Sequence, residues 1–167
     1  PGEAAALYEK ANSIDPKNMS SKLAYAASLE ASNNLDGAVK QYRSIISEVP
    51  KNLDAHRKLG QILMRQGKVS EAVAEFSAMK VLAPKDATPY VAAGAAFEKE
   101  KKYDEAIKEY REMSALNEKD PTPKWYIAKV LEIQKKYDEA IAEYRAIEKI
   151  VPKDNFYVSN IPRLLEL

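Results

Sequence analysis

The chain has no cysteine, one histidine, one tryptophan and five glycines in 167 residues. Without cysteine there are neither disulfides nor thiolate metal ligands, and the redox compartment is left open. His56 is the only imidazole. The common nucleophile–base pairs and zinc sites therefore lack their ligands or partners. The five glycines form no phosphate-cradling loop. An excess of one charge is also missing: 26 basic against 25 acidic residues leave +1. That balance gives no overall attraction to nucleic acid or to an anionic membrane. No run of eighteen apolar residues occurs, so no membrane-spanning helix is expected. The chain begins at Pro1 without a signal-like segment, and any targeting sequence would lie outside it. Together these absences move the question from catalysis to binding, with no enzyme activity, cofactor or metal expected.

What the chain has is a period. Ala4, Ala38, Ala72, Ala106 and Ala140 recur every 34 residues, as do Tyr8, Tyr42, Phe76, Tyr110 and Tyr144. Pro16, Pro50, Pro84 and Pro152 keep the same spacing, with Glu118 where a further proline is due. One spacing in three registers means stacked units, none of which can bury its apolar face alone. Ala38, Tyr42 and Ile45 fall on one helical face, and the triad returns as Ala72, Phe76, Met79, then Ala106, Tyr110, Met113, then Ala140, Tyr144, Ile147. A small residue lets paired helices approach, and the aromatic fills the gap to the next unit.

Punctuation marks the helix ends. The prolines close one unit and cannot continue its last helix. Two residues on, Asn18, Asn52, Asp86, Asp120 and Asp154 offer an oxygen to cap the next helix. Asp36, Ser70, Asp104 and Asp138 are expected to cap the second helix of each unit, followed by Glu71, Glu105 and Glu139 in its first turn. Pro89, Pro121 and Pro123 crowd helix starts, where proline is tolerated.

These residues resemble the tetratricopeptide repeat family. Its first-helix pattern of bulky, apolar, small and bulky residues is matched by His56, Leu59, Gly60, Leu63 and by Tyr90, Ala93, Gly94, Phe97. Tyr103-Asp104-Glu105-Ala106 and Tyr137-Asp138-Glu139-Ala140 are similar to its second-helix opening. Lys22 and Lys124 at the first bulky position, and Glu118 for proline, depart from it. The resemblance implies an all-α, right-handed superhelical solenoid of stacked antiparallel helix pairs. The chain then reads as one domain: a half repeat at 1–18, full repeats at 19–52, 53–86, 87–120 and 121–154, and a terminal helix at 155–167. It also reads as an excerpt, because Phe156, Tyr157, Val158, Ile161, Leu164, Leu165 and Leu167 are too many for one buried stripe, and Pro162 disturbs that helix.

The resemblance further implies a concave face, lined by first helices, that holds a peptide. The lining positions are Leu23 and Ala27, then Arg57, Gln61, Met64 and Arg65, then Val91, Ala95, Glu98 and Lys99, then Trp125, Lys129 and Glu132. Arg57, Gln61, Met64, Arg65, Val91, Ala95, Trp125 and Lys129 are taken as the partner-binding set. An apolar floor beside basic residues suits a protein or peptide with apolar and acidic groups, and tryptophan and arginine often dominate binding energy. The clamp by which co-chaperone members hold a chaperone tail is absent: its registers fall on Leu23, Ala27, Lys58, Thr88, Ala92, on Arg57, Gln61, Ala92, Thr122, Tyr126, or on Val91, Ala95, Tyr126, Phe156, Asn160. Lys68, Lys101-Lys102 and Lys135-Lys136 make too small a basic ridge to indicate nucleic acid. Two alternatives stand beside a peptide-binding scaffold. One is self-assembly, with exposed Ala4, Tyr8 and Ala11 meeting exposed Phe156, Ile161, Leu164 and Leu165 of another copy. The other is a regulatory segment of a larger enzyme.

Overall fold

A computed structural model describes the backbone of residues 2–152, 156, 159 and 161–165, and their side chains except those of 2–5, 162 and 163. The Ala4 side chain, Asp154, Tyr157, Val158, Asn160 and Leu167 thus lie outside the described residues. The described chain is all helix and loop, without a strand. It divides into two compact units, residues 1–84 and 85–167. The first holds α1 (Gly2–Ile14), α2 (Met19–Ala31), α3 (Leu35–Glu48), α4 (Leu53–Arg65) and α5 (Val69–Leu82). The second holds α6 (Thr88–Lys99), α7 (Tyr103–Ser114), α8 (Thr122–Ile133), α9 (Tyr137–Ile150) and a last turn, α10 (Ile161–Leu164). Within each unit every helix packs on the next, and α10 packs on α9.

The periodic triads are the core. Ala38, Tyr42, Ile45, Ala72, Phe76 and Met79 are buried in the first unit, and Ala106, Tyr110, Met113, Ala140, Tyr144 and Ile147 in the second. Close approach fixes the small position opposite the ring. A Cβ built on Gly60 would stand 2.5 Å from the Phe76 ring, so alanine there would force the ring to move.

Each first helix ends in the same hydrogen-bonded motif. Asn33, Gly67, Lys101 and Lys135 take left-handed backbone angles, with φ of 61°, 75°, 59° and 60°. The next residue's N–H, on Asn34, Lys68, Lys102 and Lys136, donates at 2.9 Å to the carbonyl of Leu29, Leu63, Phe97 and Leu131. This reversal satisfies carbonyls that the helix end leaves open.

The caps differ from expectation in two ways. Asn18 and Asn52 accept from the N–H three residues on, at Ser21 and Ala55. Asp86 and Asp120 accept instead from Thr88 and Thr122, two residues on, at 2.9 Å. The third residue in those segments is Pro89 or Pro123, which has no N–H to give. Asp36, Ser70, Asp104 and Asp138 are not caps. The second helices begin one residue earlier, and these side chains lie inside the first turn. Only Asn34 caps through its side chain, accepting from Gly37, while Lys68, Lys102 and Lys136 have no oxygen to offer. Asp36 and Asp104 accept from Gln66 and Gln134 of the following repeat instead.

The last segment also departs from expectation. Leu164 is buried against α9 rather than exposed, Ile161 is half-buried, and Phe156 and Leu165 remain exposed. Pro162 sits in the first turn of α10, where its missing N–H breaks no helical bond.

Candidate functional site

In the first unit, α2, α3 and α4 enclose an open groove of about 210 Å³, lined by Leu23, Ala27, Tyr42, Asp54, Arg57 and Lys58. Leu23 and Ala27 lie one helical turn apart on α2, Arg57 and Lys58 project from α4, and Tyr42 forms the floor from α3. The Tyr42 hydroxyl is pushed up to about 12 by burial first and then by the Glu30 carboxylate, with Arg57 opposing. It is therefore a neutral phenol at neutral pH, fit to donate a hydrogen bond.

The basic residues around this groove are engaged. Arg57 pairs with Asp54 one turn back on α4. Lys58 and Arg65 both reach Glu30, at 3.3 and 3.4 Å, and Arg65 also donates to Asn33 at 3.2 Å. Gln61 is exposed and Met64 half-buried on the same helix. The groove thus brings together Leu23, Ala27 and Arg57 from the expected lining, while Gln61, Met64 and Arg65 stand outside it. Tyr42, Asp54 and Lys58 line it unforeseen. Tyr42 reads as core by its period, and Asp54 was legible only as the acid three residues before Arg57.

In the second unit Val91 is half-buried and Ala95 exposed on α6. Trp125 is half-buried on α8, edge-on to Tyr126 at 5.3 Å between ring centroids and stacked on Phe156 at 6.2 Å. Tyr126 in turn stacks on Tyr110 at 4.8 Å. Lys129 lies 6.0 Å over the Trp125 ring and 3.3 Å from Glu132. Lys129 is thus paired, as Arg57 and Arg65 are. Glu98 and Glu132 also turn away from the lining role expected of them. They accept at 2.5 Å from the hydroxyls of Tyr110 and Tyr144, which tie first helix to second.

His56 is a structural residue. It is buried, with Nδ1 2.6 Å from Glu75 and Nε2 3.0 Å from the Pro50 carbonyl, and so links α4 to α5 and to the preceding turn. Among the described residues no group of three or more histidine, aspartate or glutamate side chains could hold a metal, and no helix is long and apolar enough to cross a membrane.

The sequence model of the tetratricopeptide repeat family matches residues 21–87 and 90–155. Solved structures share the fold. MamA superposes with a TM-score of 0.66 at 23% identity, over 84% of this chain and 82% of its own. A tetratricopeptide repeat protein from Parabacteroides merdae ATCC 43184 gives 0.75 at 16% identity, over 98% of this chain and 65% of its own. YrrB, described as a TPR protein with an unusual peptide-binding site, gives 0.66 at 18% identity, over 98% and 84%. At such identities the likeness is one of fold. No curated protein matches the chain in sequence. The two stretches matched by the family model cover most of the chain and contain the buried alanine and aromatic registers, and the chain belongs to the tetratricopeptide repeat family of protein-interaction scaffolds.

Proposed function

We propose that the chain holds an extended partner segment on the face of its first helices, without catalysing a reaction. An apolar side chain of that segment enters the groove of residues 1–84, and an acidic group meets Arg57. The observation that carries this reading is the groove itself: Leu23 and Ala27 make an apolar wall with Arg57 and Lys58 at its rim. The rim pair is exchangeable, since the Arg57 and Asp54 side chains are 40% and 69% exposed. Exposed pairs of this kind contribute about 0–1 kcal/mol, so a partner carboxylate can take the place of Asp54. In residues 85–167, Val91, Ala95, Trp125 and Lys129 offer a second apolar stretch with a cation beside it. A short segment loses conformational freedom on binding, which holds affinity to about the micromolar range.

A random peptide library selected on the immobilised chain tests this. Enriched sequences should place an apolar residue beside an acidic one, and Arg57→Glu should weaken them about tenfold without changing the melt. Enriched peptides that bind the Arg57→Glu variant as well as the parent would remove the reading.

A second reading is self-association. On α1, Leu7, Tyr8 and Ile14 are exposed, and Leu7 and Ile14 share a helix face. Contiguous apolar surface favours association. Leu164 belongs to the core, so charge substitutions at Leu7 and Ile14 test this better than deleting the last helix. Light scattering that shows a monomer at every concentration for the parent chain ends the idea.

A further inference from the structure

Helix α7 stops at Ser114, two residues short of the register at which α3, α5 and α9 end, namely Glu48, Leu82 and Ile150. In those helices the next N–H, on Val49, Ala83 or Val151, keeps the helical bond to the carbonyl four residues back. At the end of α7 the bonds tighten to three residues, from Ala115 to Glu112 and from Leu116 to Met113. Asn117, standing where Val49, Ala83 and Val151 stand, accepts from the Lys119 N–H at 3.1 Å. A short polar side chain of this kind competes with the helix for backbone groups. Glu118 follows in place of the recurrent proline.

The shortening leaves an open cavity of about 450 Å³ lined by Arg111, Ser114, Ala115, Glu118, Lys124, Ile127 and Glu143. Ser114 is smaller than the residues of its register, Ile46, Lys80 and Glu148. Lys124 and Glu143 hold the positions of His56 and Glu75, which touch at 2.6 Å in the first unit. Here they stand 3.8 Å apart. Arg111 and Glu118 have no ion-pair partner among the described residues. Among the described residues, one unpaired guanidinium and one unpaired carboxylate thus face the same space as a loosely held pair, over the exposed methyl of Ala115 with Ile127 buried beneath.

We infer that this cavity is a second recognition site, for a partner segment presenting an acidic and a basic side chain on either side of an apolar one. The site carries two positive and two negative groups, so a ligand with one charge of each sign meets a partner at both ends. Lys124 and Glu143 face each other, so Arg111 and Glu118, one cation and one anion, are left for the ligand, and a like-charged ligand matches only one of them. Arg111 suits the carboxylate, because the planar guanidinium offers two parallel donors. Glu118 and Glu143 then receive the ammonium, and the apolar residue covers Ala115. The site does not depend on the groove of the first unit.

Three acetylated, amidated pentapeptides test this on the isotope-labelled chain by NMR titration, with glutamate–leucine–lysine, glutamate–leucine–glutamate or lysine–leucine–lysine at the centre. The mixed peptide should shift the amides of Ser114, Ala115, Lys124 and Ile127 and bind at least fivefold more tightly than either like-charged one. Arg111→Gln and Glu118→Gln, both exposed positions, should each reduce that binding at least fivefold, and Arg57→Glu should leave it unchanged. Ser114→Ile, which fills the space with the residue of the Ile46 register, should abolish binding while the melt holds or rises. Equal binding of a like-charged peptide, shifts confined to Leu23 and Ala27, or no shift at millimolar peptide would each overturn the inference.

Discussion

In residues 1–84 the first helices are capped by asparagine from three residues away, and their C-terminal reversals carry Asn33 and Gly67. In residues 85–167 the same positions hold aspartates that lie one residue outside the N-cap and accept from the first helical N–H, and Lys101 and Lys135 take the left-handed angle. The buried pairs differ too. The first unit has a tyrosine with a glutamate twelve residues before it once, in Tyr42 and Glu30, but in its next repeat Phe76 stands in the aromatic register with Met64 twelve residues before it. In the second those registers hold Tyr110 with Glu98 and Tyr144 with Glu132, joined by hydrogen bonds. Where the ring lacks a hydroxyl, the carboxylate is replaced by a thioether. The period therefore fixes volume and helix contact, whereas each closure and each polar pair is solved locally. The two candidate sites reflect this division. The groove follows the repeat, while the cavity beside Glu118 arises where the repeat fails.

Four substitutions probe the comparison. The largest effect belongs to Tyr110→Ala, which removes a buried ring, its stack on Tyr126 and its bond to Glu98. It should cost about 3–5 kcal/mol in a denaturant melt. A loss below 1 kcal/mol would mean that the aromatic register does not hold the second unit together. Next is Phe76→Tyr, which brings a hydroxyl towards Met64 and should cost about 1–3 kcal/mol for an unsatisfied buried donor. Adding Met64→Glu should recover part of that loss, and a double-mutant cycle with no coupling would show that the pairing in the second unit does not transfer. The smallest effect is Lys101→Gly. It relieves a left-handed lysine, which costs about 1–2 kcal/mol, but adds about 0.5–1 kcal/mol of unfolded-chain entropy. A gain of about 0.5 kcal/mol should appear in the melt; a loss would indicate that the Lys101 side chain contributes contacts of its own.

Much of this was legible before any coordinates. The alanine and aromatic registers follow from burial, which leaves a periodic trace because every unit repeats the same contact. Helix starts were less legible. Asp36, Asp104 and Asp138 look like caps, yet the left-handed residue before each second helix sets the start two residues earlier than a cap there would. Charge pairing between helices was not legible around the groove. Arg65 and Lys58 find Glu30 on another helix, 35 and 28 residues away in sequence, and spacing alone does not announce that. The burial of Leu164 escaped notice for a similar reason, since the partner helix α9 decides which side of α10 is covered.

The proposed function puts the partner segment in the groove walled by Leu23, Ala27 and Arg57. The most direct measurement is an NMR titration of the labelled chain with a library-selected peptide, repeated on Ala27→Trp, which blocks the groove. Shifts centred on Leu23, Ala27, Arg57 and Lys58 are expected, and they should disappear in the blocked variant with its fold retained. Shifts elsewhere, or full binding by the blocked variant, would contradict it.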